Sequence, residues 1–412
     1  MANLTRVILG LPLSLFLTYF VLKKLSLSDY GAWALLVAFF SYFSLIDLGM
    51  TTAVTRFISH FKTQNKLKMV NRILNTALVF YLLTGLFLSI LLIYLKPSFQ
   101  NFFFKNNQNV ISLVYILVIL MAYVDFVFST FLSVLNGFQR MDVTSTVDLF
   151  KTILFTIFAY LCLSWQPTLQ SLALAFTFMT LFWAGISFFA CRRFFPQLTI
   201  NFTYFNLSLF KKMLKFGCQS YLASLTILLH FNLDKFLVSH FLGVEKVAFL
   251  DIALKLINQS RMVVSSFISP LMPAAAEKTL IFKNKISTFY QNSFKYVFIL
   301  AALVFGGLIT ISPLFIRLWL GPGFTMAIIA TQILAFGHFI NLLTGPASSI
   351  ILAQGNPKPL FWFSLLEAIL NLIFSFSGII YYGFYGSLVG TSLSLLLTGS
   401  IFLFAAPKYF KR

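Results

Sequence analysis

The sequence predicts an all-α integral membrane protein, twelve transmembrane helices in two six-helix lobes around a central cavity. Three observations predict it. Apolar residues make up 59% of the 412 residues and charged residues only 10%, where a soluble domain carries about one quarter charged residues. Mean hydropathy is +0.91. Twelve apolar stretches approach the roughly 20 residues that a helix needs to cross a bilayer. Lys and Arg gather in the short segments between those stretches, mostly on one side, as orientation in a membrane requires. The runs are continuous and lack the alternation of a β-barrel.

The first stretch, 5–22, runs into Lys23 and Lys24 rather than a small-residue cleavage site, so it reads as a helix and not as a signal peptide. Stretches 30–57, 73–95, 110–135, 147–164 and 169–190 complete the first six. The connection after them contains Pro196 and the mixed stretch Gln197–Phe210, which reads as an interfacial helix. It divides the chain into an N-terminal lobe, 1–190, a cytoplasmic linker, 191–212, and a C-terminal lobe, 213–412. The second six are 213–241, 244–270, 293–316, 324–345, 359–380 and 386–406. Ser26–Trp33 (SLSDYGAW) aligns with Leu242–Phe249 (LGVEKVAF), matching Asp29 to Glu245, Ala32 to Ala248 and Trp33 to Phe249. Each octet lies between the first two helices of its half. Transporters are often built from such repeats, with the binding site between them.

Net charge is +20. In a soluble protein that would suggest nucleic acid; here the basic residues orient the chain, and no nucleic-acid partner is expected. With a cytoplasmic N-terminus, 21 of the 30 Lys and Arg residues fall in cytoplasmic segments, among them Lys151, Lys278, Lys283, Lys285, Lys411 and Arg412, and 6 fall outside, Lys105 among them. Both termini are therefore expected inside. Cys162, Cys191 and Cys218 have no disulfide or metal spacing. No P-loop, H-E-x-x-H or G-x-S-x-G is present. His60, His230, His240 and His338 form no metal pattern. The sequence thus offers no catalytic residue, metal site or bound cofactor.

Charge inside the spans carries the functional signal. A charge at the bilayer centre costs about 2.5–3.5 kcal/mol on insertion scales, so such residues face a partner or an aqueous cavity. The candidates are Asp47, Asp125, Asp234, Lys235, Asp251, Lys255, Arg261 and Glu367. Asp125, Ser129 and Ser133 share one helical face; so do Glu367, Asn371 and Ser375, and Asp251 with Lys255. Such stripes line a cavity or join helices by hydrogen bonds worth about 0.6 kcal/mol each. Lys255 and Arg261 are assigned to the cavity. In a continuous helix Asp47 and Arg56 fall on opposite faces, with Arg56 about 39 Å along it at the cytoplasmic interface, where it contacts lipid headgroups or receives substrate. Asp47 and Arg261 lie at similar depths in corresponding helices and are expected to approach in one conformational state. Lys235 reads as an interface anchor. Asp47, Asp125 and Glu367 are candidate proton or cation carriers.

These residues carry a resemblance. Gly31–Phe57 (GAWALLVAFFSYFSLIDLGMTTAVTRF), with D-L-G at Asp47–Gly49 and T-R-F at Thr55–Phe57, resembles the second helix of Wzx-type polysaccharide-biosynthesis flippases, a MATE-like branch of the multidrug/oligosaccharidyl-lipid/polysaccharide exporter superfamily. Asn136–Arg140 (NGFQR), Asn232–Gly243 (NLDKFLVSHFLG), Gln354–Pro357 (QGNP), Asn371 and Tyr382–Gly390 (YGFYGSLVG) follow in the family's order over nearly the whole chain. Two features depart from the pattern: only Arg6 precedes the first helix, and Asp251 stands where Tyr or a small residue is commoner.

The resemblance implies translocation of an undecaprenyl-pyrophosphate-linked oligosaccharide from the inner to the outer leaflet of the bacterial inner membrane by alternating access, for O-antigen or a related surface polysaccharide. Lys255, Arg261 and Arg56 would meet the pyrophosphate. Asp47, Asp125, Asp234, Asp251, Glu367 and Asn371 would line the cavity or carry an H+ or Na+ coupling ion. Membrane lipids, a polysaccharide polymerase and a chain-length regulator are the implied partners. The alternatives are a cation-coupled multidrug exporter of the same superfamily and a membrane-embedded polymerase, whose class carries a large external loop absent here.

Overall fold

Apolar runs of this length have one open-ended backbone solution in a bilayer, the helix, which satisfies its own N–H and C=O groups. The computed structural model describes residues 2–104, 108–268, 270–271, 275, 286–356 and 358–410, with backbone alone at 2–9, 42, 44–45, 108–110 and 219–232. Lys105, Lys278, Lys283, Lys285, Pro357, Lys411 and Arg412, which entered the charge count or the motifs, lie outside the described residues, as do the side chains of Arg6 and His230. Helices and turns account for the regular structure among the described residues, with no strand. Seven helical stretches among them are long and apolar enough to cross a membrane. The protein is a multi-pass membrane protein. The chain forms two compact units, Met1–Leu225 and Thr226–Arg412.

The first unit contains α1 (Ala2–Lys24), α2 (Leu27–Ser41), α3 (Met50–Thr63), α4 (Leu67–Tyr94), α5 (Lys96–Phe103), α6 (Gln108–Gly137), α7 (Met141–Trp165) and α8 (Leu169–Phe194). Helix α6 packs against α3, α4 and α8, and α7 against α1 and α8. Tyr81, Tyr115, Ile119 and Leu135 fill the interior. Phe87, Trp165 and Phe189 are largely exposed, an apolar exterior that suits hydrocarbon rather than water. Helix α7 begins six residues before the predicted stretch, in a polar Thr/Ser/Asp segment. Lys151 is therefore ten residues inside a helix.

The predicted continuous helix 30–57 is broken. A 3-10 segment, Tyr42–Asp47, follows α2, and Leu48 and Gly49 take left-handed φ values of 48° and 72° before α3 starts. Gly49 meets Gly217; a Cβ on Gly217 would lie 2.7 Å from the Leu48 carbonyl oxygen. The helical-face and rise arithmetic for Asp47 and Arg56 fails with the break, since the two residues belong to different helical segments.

The linker is also not the expected helix. After α8 the chain runs as an extended strap with a single 3-10 turn, Phe202–Tyr204, until α9 (Leu207–Leu242). Asn71 and Asn75, one turn apart on α4, hold it. Asn71 Nδ2 donates to the Gln197 carbonyl (2.8 Å), and Asn71 Oδ1 accepts from Thr199 N (3.1 Å). Asn75 Nδ2 donates to the Thr199 carbonyl (2.8 Å), and its Oδ1 accepts from Asn201 N (2.8 Å). The amides thus supply what a neighbouring β-strand would.

Helix α9 carries the chain across the division at 225/226. The second unit continues with α10 (Val244–Ile268), α11 (Ile286–Leu320), α12 (Thr325–Leu343), α13 (Gly345–Ala353) and α14 (Lys358–Tyr409). Helix α12 packs on α10, α11 and α14. Helix α10 is not among the seven apolar stretches; Glu245, Lys246, Asp251, Lys255 and Arg261 make it too polar. The predicted stretches 359–380 and 386–406 are the two arms of α14, folded back at Gly383 (φ 60°). Gly378 and Gly386 let the arms' backbones touch, and a Cβ on Gly390 would lie 2.6 Å from Ser375 N. The Tyr382–Gly390 motif therefore encodes a turn and a close approach.

Candidate functional site

In the first unit, Asp47 holds the break in place. Its Oδ1 accepts from Thr51 N (3.2 Å) and Thr51 Oγ1 (2.8 Å) at the start of α3, and the buried Tyr81 hydroxyl donates to it. A carboxylate at a helix N-terminus satisfies orphan N–H groups and meets the positive end of the helix dipole. Asp47 is thus a cap as well as a candidate ion carrier. Asp125 on α6 pairs with Lys151 on α7, whose ammonium lies 4.1 Å from the Trp183 ring centroid. Asp47, Asp125, Lys151, Phe40, Phe43 and Phe176 line a cavity of about 570 Å³. Arg56 stands outside that lining, exposed, its guanidinium 4.1 Å from the Phe216 ring. Sequence reasoning missed Lys151, for which the signal was the polar start of α7. Ser129 lines the same cavity, and the hydroxyls of Ser129 and Ser133 both bond to their own helix backbone rather than to a neighbouring helix.

In the second unit, Asp251 joins two lysines. Lys235 Nζ on α9 reaches Asp251 Oδ1 at 2.6 Å, and Lys255 Nζ, one turn along α10, reaches Oδ2 at 3.2 Å. The side chains of Lys235 and Asp251 are 12% and 10% exposed, that of Lys255 38%. Lys235 is therefore no snorkelling anchor; its ammonium turns inward to the carboxylate that also receives Lys255. Two ammoniums thus converge on one carboxylate.

Arg261, further along α10, is partly buried between α12 and α14. Its Nη1 donates to His338 Nδ1 (2.7 Å) and to Asn341 Oδ1 (3.2 Å). Arginine only donates, so His338 Nδ1 is the acceptor and carries no proton. Asn341 Nδ2 in turn donates to Glu367 Oε2 (3.2 Å), which also accepts from Thr398 Oγ1 (3.4 Å). Arg261 and Glu367, assigned separately from the sequence, are two ends of one network. His338, set aside there for want of a metal pattern, is its central acceptor.

Asp234 is buried on α9. Thr391 Oγ1 on the second arm of α14 donates to its Oδ2 (2.9 Å), while Asn371 and Ser375 on the first arm face the same carboxyl. Asp234 Oδ1 and both amide atoms of the fully buried Asn371 make no hydrogen bond. Buried polar atoms without partners are rare and mark a strained, catalytic or ion-holding place. Ser375 and Thr391 hydroxyls and the Ser387 carbonyl complete an oxygen-rich cluster. Among the described residues no three His, Cys, Asp or Glu side chains gather as a transition-metal site would require.

Residues 5–279 match the family described as polysaccharide biosynthesis protein. The chain is 24% identical to the "Uncharacterized membrane protein EpsK" of Bacillus subtilis (strain 168), over all of this chain and 82% of that one. It is 18% identical to the "Putative O-antigen transporter" of Shigella flexneri, over 92% and 90%. Among solved structures, a multidrug resistance MATE family transporter in an inward-facing conformation superimposes with a TM-score of 0.84 at 12% identity, over 99% and 98% of the two chains. The lipid II flippase MurJ in an inward closed conformation does so at 0.78 and 17%, over 99% and 88%. The fold is the MATE-like one that the sequence predicts.

Proposed function

The chain belongs to the polysaccharide biosynthesis protein family, and on that premise we propose that it is a flippase moving lipid-pyrophosphate-linked oligosaccharide from the inner to the outer leaflet of a bacterial plasma membrane. It is a transporter and not an enzyme, and it works by alternating access. The names of the Shigella and MurJ relatives, an O-antigen transporter and a lipid II flippase, support the substrate class. The observation that carries the reading is the pair of lysines gathered by α9 and α10, where Lys235 and Lys255 share one aspartate. An anionic pyrophosphate crossing an apolar layer needs such compensation. Lys255 and Arg261 bind it there, Arg261 through a fork that suits phosphate oxygens. Arg56 receives it at the cytoplasmic side.

The chain crosses twelve times with both termini inside. Charges on α9 and α10 enter the membrane paired, which lowers their cost. The coupling ion, H+ or Na+, is assigned to Asp234, whose buried carboxylate lies beside the buried Asn371 amide. The sugar chain goes to O-antigen or a related surface polymer, and a polymerase and chain-length regulator act next.

The test is the leaflet position of the lipid-linked unit in a conditional deletion strain, read with a membrane-impermeant glycan probe on right-side-out and inside-out vesicles. Accumulation on the cytoplasmic face supports the proposal. Accumulation of short units on the outer face would place the block at polymerisation instead. No change in either pool would favour a drug exporter.

A further inference from the structure

We propose that Asp251 is a resident stand-in for the substrate's pyrophosphate: it occupies the Lys235–Lys255 site when the carrier is empty and yields it when substrate binds. The inference rests on reading the chain as a carrier of a pyrophosphate-linked lipid. Its geometry is that of a bridged anion. Each oxygen of one carboxylate takes one ammonium, Lys235 at 2.6 Å and Lys255 at 3.2 Å. Two non-bridging oxygens of a pyrophosphate present the same arrangement with more charge, and charge-assisted bonds to phosphate are the stronger for it. Lys235, which the sequence placed at an interface, thereby becomes half of the anion site.

Accessibility gives the order of events. The Lys255 side chain is 38% exposed, against 12% for Lys235 and 10% for Asp251. Lys255 is the arm an incoming anion meets first. It shares α10 with Asp251 at a spacing of one turn, so its flexible stem can swing from Asp251 to a phosphate by side-chain rotation alone. Lys235 follows as the pyrophosphate replaces the carboxylate.

The arrangement answers a requirement of any carrier for a highly charged substrate. Two cations that suffice to hold a pyrophosphate would be stranded in apolar surroundings once it leaves, and the empty protein would resist the return step. Asp251 neutralises one of them during that step. Neutralising it permanently should therefore tighten anion binding and slow turnover together, a combination that loss of a merely structural ion pair does not produce.

The experiment uses the full chain in lipid nanodiscs, with inorganic pyrophosphate as the probe in calorimetric titrations. Asp251→Asn should bind pyrophosphate at least tenfold more tightly than the unaltered protein, and Lys235→Met and Lys255→Met at least tenfold more weakly. In cells, Asp251→Asn should lower surface polysaccharide despite its tighter binding. The double variant Lys235→Met/Asp251→Asn keeps the triad's excess of one positive charge and serves if the single variant fails to fold. It should bind at least tenfold more tightly than Lys235→Met. Unchanged or weaker binding on removing Asp251, with both lysine variants still impaired, would overturn the stand-in role and leave the cationic site. Equal binding by all variants would overturn the site and the substrate reading with it.

Discussion

Thr199 donates its backbone N–H to the Asn71 side-chain oxygen at 3.1 Å, although 128 residues separate them. One turn further along α4, Asn75 takes the Thr199 carbonyl. The two asparagines divide one residue's backbone between them and fix the strap to the first unit. An unmade hydrogen bond at a buried group costs about 1–3 kcal/mol, and less where water replaces the partner. Asn75 is fully buried, whereas Thr199 and Asn201 reach the surface. Asn75→Leu should therefore destabilise the first unit by about 1–2 kcal/mol and free the strap. Limited chymotrypsin digestion, cutting at Phe202, Tyr204 or Phe205, should be clearly faster than in the unaltered protein. An unchanged digestion rate would show that Asn75 does not hold the strap.

Asp47 has two roles to separate. As a cap it needs an oxygen at the start of α3, which Asn also supplies; as an ion carrier it needs the charge. Removing a cap costs about 0.5–2 kcal/mol. Asp47→Asn should keep thermal stability close to the original, and Asp47→Ala should lower it measurably. If Asp47→Asn also retains transport, the ion-carrier role is lost and the cap remains.

The sequence made the helices and the turn at Gly383 legible, because each is a local matter of apolar length and glycine spacing. It also showed most of the charges that sit among apolar residues, though not Lys151. Their partners were hidden, because Lys235 and Asp251, Lys151 and Asp125, and Arg261 and His338 come from different helices. Spacing along the chain reveals only pairs such as Asp251 and Lys255. The break at Leu48–Gly49 was masked by flanking apolar residues, although Asp47, Gly49 and Thr51 together form a stop and a new start. The strap was misread because its partners are side chains on a helix read only for its hydropathy.

The Asp125–Lys151 pair is testable by exchange. Removing one partner of a fully buried pair costs about 3–5 kcal/mol; these side chains are 39% and 28% exposed, so water offsets part of that, and about 1–2 kcal/mol is expected from partial screening. Asp125→Ala should lower the melting temperature and Lys151→Ala should do likewise. The exchange Asp125→Lys/Lys151→Asp should recover part of the loss. An exchange variant no more stable than expected from adding the effects of Asp125→Lys and Lys151→Asp made singly would show that the two side chains do not stabilise each other.

Asp234 and Asn371 give the sharpest test of coupling. Their unpartnered buried atoms lie in a cluster of hydroxyl and carbonyl oxygens. That is a donor set for a proton or a hard alkali cation, since such ions prefer oxygen. In proteoliposomes, transport by the unaltered protein should rise when an H+ or Na+ gradient is imposed, one ion at a time. Asp234→Asn keeps the shape and the Thr391 contact but removes the charge, so its transport should fall at least tenfold in the gradient and no longer respond to it. Pyrophosphate binding, which depends on Lys235, Lys255 and Arg261, should change less than threefold. Asn371→Ala should weaken the response to the gradient in the same direction. If Asp234→Asn retains the full gradient response, the coupling ion is held elsewhere, and the unpartnered oxygen at Asp234 has no role in driving transport.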